Sequence, residues 1–438
     1  MKWTQVLLGR RALSVYAVVL LMAAFLLNVS RIVKIGMVQA PAAWAVDAIP
    51  PAVSELYYGN KVRYTNLTEV SAFFYKQLGL NPIMYQTREG KSLSAKQINP
   101  IITQLVERSK HHGPVSTTYG LMETGDDKGI VDFVEVSFLL FGPHVESLTY
   151  LYLLLLAGSV LLYVLAFAGS PGRLFIVTAY LGALYLLIPS IVHNPQLGSL
   201  LALRAFPLLS MVATLHCVLA ALFPGSRFSA GKFALCACQL LFVFFVYHIR
   251  ITTLWQLQII VFAVGLTLVF RLYRWMSRWR QDPLSHASGE KRKPTYVFVL
   301  GLGALVMVGF LGLALYRHAF YPREYREQGQ TVTRVFWHNI YSGFAFSPKL
   351  ARKEGLRIDD HSIIRATANY LKRCHRDGEW QKICGPMGLR WADYEKVVRE
   401  MVMRQLRRHP FEVVAGVLYW KPRSVLGHML WLWGARRG

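Results

Sequence analysis

The stretch YVFVLGLGALVMVGFLGLALY, residues 296–316, runs through 21 positions without a charge. It follows RLYRWMSRWRQDPLSHASGEKRK, residues 271–293, which holds seven Lys or Arg against two acids. About 20 apolar residues cross the hydrocarbon core of a bilayer. A cluster of basic residues marks the cytoplasmic end of such a run. Residues 296–316 therefore read as a membrane span entered from the cytoplasm. Between Ser147 and Tyr316 the only acids are Asp282 and Glu290, and both lie in that basic loop. A stretch so poor in carboxylates leaves little else to build than apolar helices.

Working outward, the same pattern recurs. Apolar runs cover residues 12–33, 148–168, 173–192, 200–223, 232–249 and 251–271. With residues 296–316 they predict an α-helical polytopic membrane protein with about seven transmembrane helices. Lys2, Arg10, Arg11, Arg173, Arg227 and Lys232 all fall on the face of the 271–293 loop if the N-terminus is inside. The expectation is N-in and C-out. The domains that follow are a first transmembrane helix (1–37), an extracytoplasmic loop domain (38–147), a six-helix bundle (148–316) with a basic cytoplasmic loop at 272–295, and an extracytoplasmic C-terminal domain (317–438). Both outer segments should be mainly helical. Arg10-Arg11, the first apolar run and Ala43-Trp44-Ala45 also fit a signal peptide, against which Arg31 and Lys34 precede the cleavage site. The expected location is a bacterial inner membrane, crossed many times.

The formal charge of +25 would suggest nucleic acid in a soluble protein. Here part of the excess orients the spans, so a nucleic-acid partner is not expected. The remainder lies in the C-terminal segment, which offers either a solvated basic surface or a site for anionic headgroups or an anionic polymer. A helix over about residues 393–408 sets Tyr394, Val397, Val398, Met401 and Leu406 against Lys396, Arg399, Arg404, Arg407 and Arg408. That is the pattern of a helix lying on an anionic surface. Cys217, Cys236 and Cys238 lie in spans as small apolar side chains. Cys374 and Cys384 share the outer segment across a turn at Asp377-Gly378 and are expected to form a disulfide.

Candidate chemistry concentrates outside the membrane. Glu123, Asp126 and Asp127 crowd a Gly-flanked turn before a helix that begins after Gly129. Asp132 and Glu135 share that helix's polar face. Asp126 and Glu123 could hold a divalent cation through oxygen, and Asp126 or Asp127 could act as general base. Capping of the following helix explains the same acids. Arg204, Arg250, His193 and His248 stand near the outer ends of spans. They either snorkel to the interface or clamp a lipid phosphate, which Arg binds bidentately. Trp337 and His338 fit a sugar surface, and equally an aromatic belt at the interface.

The large acidic first outer loop, the interfacial helices and the basic residues at the outer ends of spans resemble the GT-C superfamily of polytopic glycosyltransferases. The resemblance implies a polyprenyl-phosphate-linked sugar as donor, used at the outer face. It places Asp126 and Asp127, with Asp47 soon after the first span, as catalytic acids, and Arg204 or Arg250 beside the donor phosphate. An accessory subunit of an envelope complex, binding partner membrane proteins, is the other reading; a transporter is disfavoured because the spans lack buried acids.

Overall fold

The structure is a computed structural model. It describes residues 2–36, 48–58, 79, 95–112, 128–193, 200–201, 205–224, 229–250, 253–281, 294–320, 336–357, 360–385, 388–389, 391–420 and 423. The chain is a helical, multi-pass membrane protein. Its described helices form two compact units, one ending at Phe320 and the other starting, among described residues, at Phe336.

Among the described residues the first unit holds ten helices: α1 (Lys2–Gly36), α2 (Ile49–Tyr58), α3 (Ala95–His112), α4 (Lys128–Phe141), α5 (Glu146–Phe167), α6 (Pro171–His193), α7 (Met211–Leu222), α8 (Ala230–Ile249), α9 (Leu254–Gln281) and α10 (Pro294–Phe320). Six of them, α1, α5, α6, α8, α9 and α10, are long and apolar enough to cross a membrane. Their outward residues are apolar too. Leu161, Leu241, Phe262 and Met307 are each more than half exposed. Hydrocarbon accepts such a surface, whereas water does not.

The span expected at 200–223 takes a different form. Phe206–Leu208 is a short 3-10 turn, and the α-helix proper begins only at Met211. Pro207 stands at the start of that turn, where its missing N–H costs no ladder bond. The 12 residues of α7 reach about 18 Å at 1.5 Å per residue, short of the ~30 Å core. Gln256 ties off the break. Its Nε2 donates to Pro207 O (2.7 Å), and its Oε1 accepts from Ser210 (2.7 Å) and Thr214 (2.8 Å).

Contacts between helix ends sort the bundle into two faces. On one, Tyr163 Oη donates to Arg173 O (2.7 Å) and the Arg173 guanidinium to Phe223 O (3.2 Å). This joins the end of α5, the start of α6 and the end of α7. Helix α1 runs parallel to α6, since Asn28 bonds Leu181 O (2.8 Å) and Arg31 bonds Tyr185 O (2.7 Å). The start of α1 therefore lies on the same face as Arg173. On the other face, Asn99 of α3 bonds Glu146 at the start of α5 (2.8 Å), and the ends of α8 and α10 meet α4. Within the bundle α10 comes so close to α8 that a Cβ on Gly309 would stand 2.2 Å from the Phe244 ring. Cys217 and Cys236 are buried, as small apolar residues would be, while Cys238 is exposed.

The second unit has its own core. Helices α11 (Phe336–Gly343), α12 (Pro348–Glu354), α13 (Asp360–Arg373), α14 (Asp377–Ile383), α15 (Trp391–Arg408) and α16 (Pro410–Ala415) accompany a two-residue strand pair, β1 (Cys384–Gly385) and β2 (Gly388–Leu389). Helix α15 supplies Tyr394, Val397, Val398, Met401 and Val402 to the core, at helical spacing. Leu406, expected on that stripe, is 37% exposed instead. The expected Cys374–Cys384 bridge is not formed, and both thiols are free. Most of the residues between them in the chain form helix α14 rather than a tight turn.

Glu395 is buried at the edge of the same face of α15, where its carboxylate accepts from the backbone N–H groups of Trp337 (2.7 Å) and His338 (3.0 Å). It thereby caps the start of α11, whose first N–H groups have no partner within the helix. Burial raises its carboxyl above the usual range, while the two N–H groups act in the opposite direction. A raised acid binds its proton more tightly folded than unfolded, so its contribution to stability falls as pH rises through that window. In thermal melts Glu395→Ala should cost about 1–3 kcal/mol by stranding two buried donors. Glu395→Gln should lose far less, and its stability relative to wild type should improve as pH rises from the acid range to neutral.

Candidate functional site

Asp132 and Glu135 stand three apart on α4, so they share one face. The opposite face holds them in place. Ile130, Val131, Phe133, Val134 and Phe138 are buried, and Phe133 meets Phe206 edge-on at 5.2 Å. With that side committed to the bundle, the two carboxylates turn toward α2. There Glu55 completes a triad in which one carboxylate oxygen from each residue lies within 4.8 Å of the other two. All three side chains are half-buried.

Two more helices close the site. His248 at the end of α8 places Nε2 2.7 Å from Asp132 Oδ2, and Tyr316 of α10 donates its hydroxyl to the same oxygen at 3.0 Å. The two rings meet edge-on at 5.3 Å. The His248 and Asp132 side chains are only 7% and 13% exposed. Gly129 makes this approach possible. A Cβ there would lie 2.4 Å from the His248 carbonyl carbon and from Ile249 N. Only a residue without a side chain lets α4 start against the end of α8. Arg250 follows directly, half-buried, with extended backbone and its N–H on Val246 O at 2.8 Å.

Three carboxylates at this separation repel. At an effective dielectric near 20, two unit charges about 5 Å apart oppose each other by about 3 kcal/mol. A bound cation, a shared proton or neighbouring positive groups would relieve that strain. The geometry suits a cation. Oxygens on opposite sides of Ca²⁺, at 2.3–2.6 Å each, stand about 5 Å apart, whereas Mg²⁺ requires about 4 Å. Three oxygens within 4.8 Å of one another are close enough to gather around one such cation with slight closure.

The structure sets His248, expected at the interface to snorkel or to clamp a lipid phosphate, against Asp132, with Arg250 next to it in the chain. Asp47, Glu123, Asp126, Asp127 and Arg204 lie outside the described residues, and for His193 only the backbone, at the end of α6, is described. The assembled carboxylates are Glu55, Asp132 and Glu135. The shared face of Asp132 and Glu135 was visible in the helical spacing. For Glu55 the only signal was one acid in the otherwise apolar stretch IPPAVSELYY.

Trp337 and His338 belong to the second unit. His338 is no sugar contact, since it is 2% exposed and bridges two helices. Its Nδ1 meets Tyr394 Oη at 2.8 Å and its Nε2 meets Asp360 Oδ1 at 3.0 Å. Trp337 is half-buried, with the Arg399 guanidinium 5.7 Å over its ring. Comparison of the chain with protein-family models, with curated proteins and with solved structures found no match.

Proposed function

We propose that this protein is an integral membrane transferase that takes a sugar from a polyprenyl-phosphate carrier. The observation that carries the reading is the carboxylate triad with His248 and Tyr316 at one end of the bundle. Charge assigns that end to the outside. Arg11, Arg173, Lys232, Arg271 and Arg274 lie toward the opposite end, which the positive-inside rule gives to the cytoplasm. The membrane would then be a bacterial inner membrane.

In the proposed reaction an acceptor hydroxyl attacks the anomeric carbon. The bond from that carbon to the phosphate oxygen breaks, and the lipid phosphate leaves with its electron pair. Asp132, whose Oδ2 already accepts from His248 and Tyr316, is suited to binding rather than to proton removal. The acceptor's proton then falls to Glu135 or Glu55. A divalent cation held by the triad would supply charge stabilisation to the departing phosphate, and Arg250 is the nearest arginine in sequence to His248 that could assist.

A second reading is non-enzymatic. The Asp132–His248–Tyr316 contacts also fasten α4, α8 and α10 together, as an accessory subunit docking partner membrane proteins would require. A cation titration addresses the metal-binding part of the transferase reading. The purified chain in nanodiscs should bind Mn²⁺ by loss of its free EPR signal, and Glu55→Gln or Glu135→Gln should weaken binding at least tenfold. Equal binding by wild type and both variants would end the cation reading.

A further inference from the structure

The second unit carries a feature that the transferase proposal leaves unused. The exposed side of α15 presents Lys396, Arg399, Arg404, Arg407 and Arg408 along an open cleft of about 770 Å³. Glu400 is the one acid in its lining, and Arg376 already pairs with it at 2.8 Å. Across the second segment as a whole, residues 321–438, 22 Lys or Arg stand against 11 acids. The charge alone would suit any polyanion.

A second observation narrows the partner. Immediately after the last arginines, large apolar side chains are exposed. Phe411 is 87% exposed, Val414 52% and Tyr419 52%. Phe411 and Val414 stand three apart on α16 and so share a face. Arg423 bonds Tyr419 Oη at 2.8 Å and lies 5.5 Å over the Trp420 ring. A soluble anionic polymer would neutralise the arginines but leave Phe411, Val414 and Tyr419 in water. A bilayer interface accepts both kinds of group, with phosphates against guanidinium groups and the apolar side chains below them.

We infer that the end of α15, with α16 and the turn after it, is a binding surface for anionic phospholipid headgroups, into which Phe411 and Val414 insert. The inference is independent of the transferase reading, because it uses none of the triad.

The test is a depth measurement on the full chain in vesicles. Cys238, Cys374 and Cys384 are replaced by serine, and a nitroxide is attached at Phe411→Cys or, as a reference, at Lys372→Cys. Collision with an aqueous nickel complex is compared in phosphatidylcholine vesicles and in vesicles with about a third phosphatidylglycerol. At position 411 the nickel accessibility should fall at least fivefold in the anionic vesicles and recover in high salt. The combined variant Arg404→Gln, Arg407→Gln, Arg408→Gln should abolish the fall. Position 372 should stay open to nickel throughout. Equal accessibility of position 411 in both vesicle types, or an equal fall at both positions, would overturn the inference. So would protection at 411 by soluble polyphosphate without anionic lipid, which would assign the surface to a polymer.

Discussion

Gly129→Ala will destabilise the membrane unit more than any other single-methyl addition described here. Alanine's methyl would have to occupy a position 2.4 Å from the His248 carbonyl carbon and from Ile249 N, and 2.5 Å from His248 O. All three are backbone atoms, so no rotamer change relieves the clash. Either α4 or the end of α8 must move, and either movement pulls Asp132 from His248. Overpacking a well-filled core costs about 1–3 kcal/mol, occasionally more, and an obstacle of backbone alone belongs at or above the top of that range. In detergent, the midpoint of thermal unfolding followed by size-exclusion should drop by several degrees, with part of the protein aggregating on expression. Gly158→Ala and Gly312→Ala are the controls, since a Cβ at either meets nothing within 4 Å, and a helical Ala in place of Gly favours the helix. A Gly129→Ala melt no lower than those two would mean that α4 does not depend on this approach.

The membrane architecture was legible because it depends on two coarse signals, apolar length and the placement of Lys and Arg, and both survive at any angle of packing. Six of the seven expected spans therefore appear as long helices. The seventh also runs from one face to the other, between Pro207 beside Gln256 and Phe223 beside Arg173, but as a 3-10 turn leading into a shorter helix. Hydropathy counts residues and does not see where the helix proper begins or that Gln256 bonds the groups before it. The disulfide failed for a similar reason: Asp377-Gly378 has turn chemistry, yet the residues after it continue as a helix.

The site was legible only in part. His248 and Arg250 stood out because polar groups at the outer ends of spans are conspicuous against apolar neighbours. Asp132 and Glu135 were readable as one helix face, but the cluster at Asp126 and Asp127 was denser in sequence and drew the catalytic assignment. The triad comes together from α2 and α4, whose acids are about 80 residues apart in the chain, and nothing local announces that pairing. In the second unit, Trp337-His338 had the composition of a sugar surface, but the hydrogen bonds to Tyr394 and Asp360 give the imidazole a core role. A polar residue's chemistry cannot be assigned before its partners are known.

Asp132 is where the two functional readings separate, and substitutions there carry the other large effect. Asp132→Ala removes the oxygen that accepts from both His248 and Tyr316. Leaving a largely buried imidazole and a phenol without that acceptor should cost about 2–4 kcal/mol, visible as a lowered melting point whichever reading holds. Asp132→Asn is the informative variant. Its carbonyl oxygen can still accept from one or both donors, so stability should fall by only about 1 kcal/mol. Its charge is gone, however, and with it the anionic ligand and the field that the transferase proposal requires of this residue. If the site transfers sugar from a lipid phosphate, Asp132→Asn should lower turnover at least a hundredfold, measured as release of polyprenyl phosphate from a panel of lipid-linked sugars, while its melting point stays near wild type. If Asp132 is only a fastener, the order reverses. Asp132→Asn would then retain every property that its melting point predicts, and only Asp132→Ala, along with losses at His248 or Tyr316, would impair association with partner proteins. The separation holds because a fastener needs an acceptor of the right shape, whereas charge stabilisation needs the charge itself.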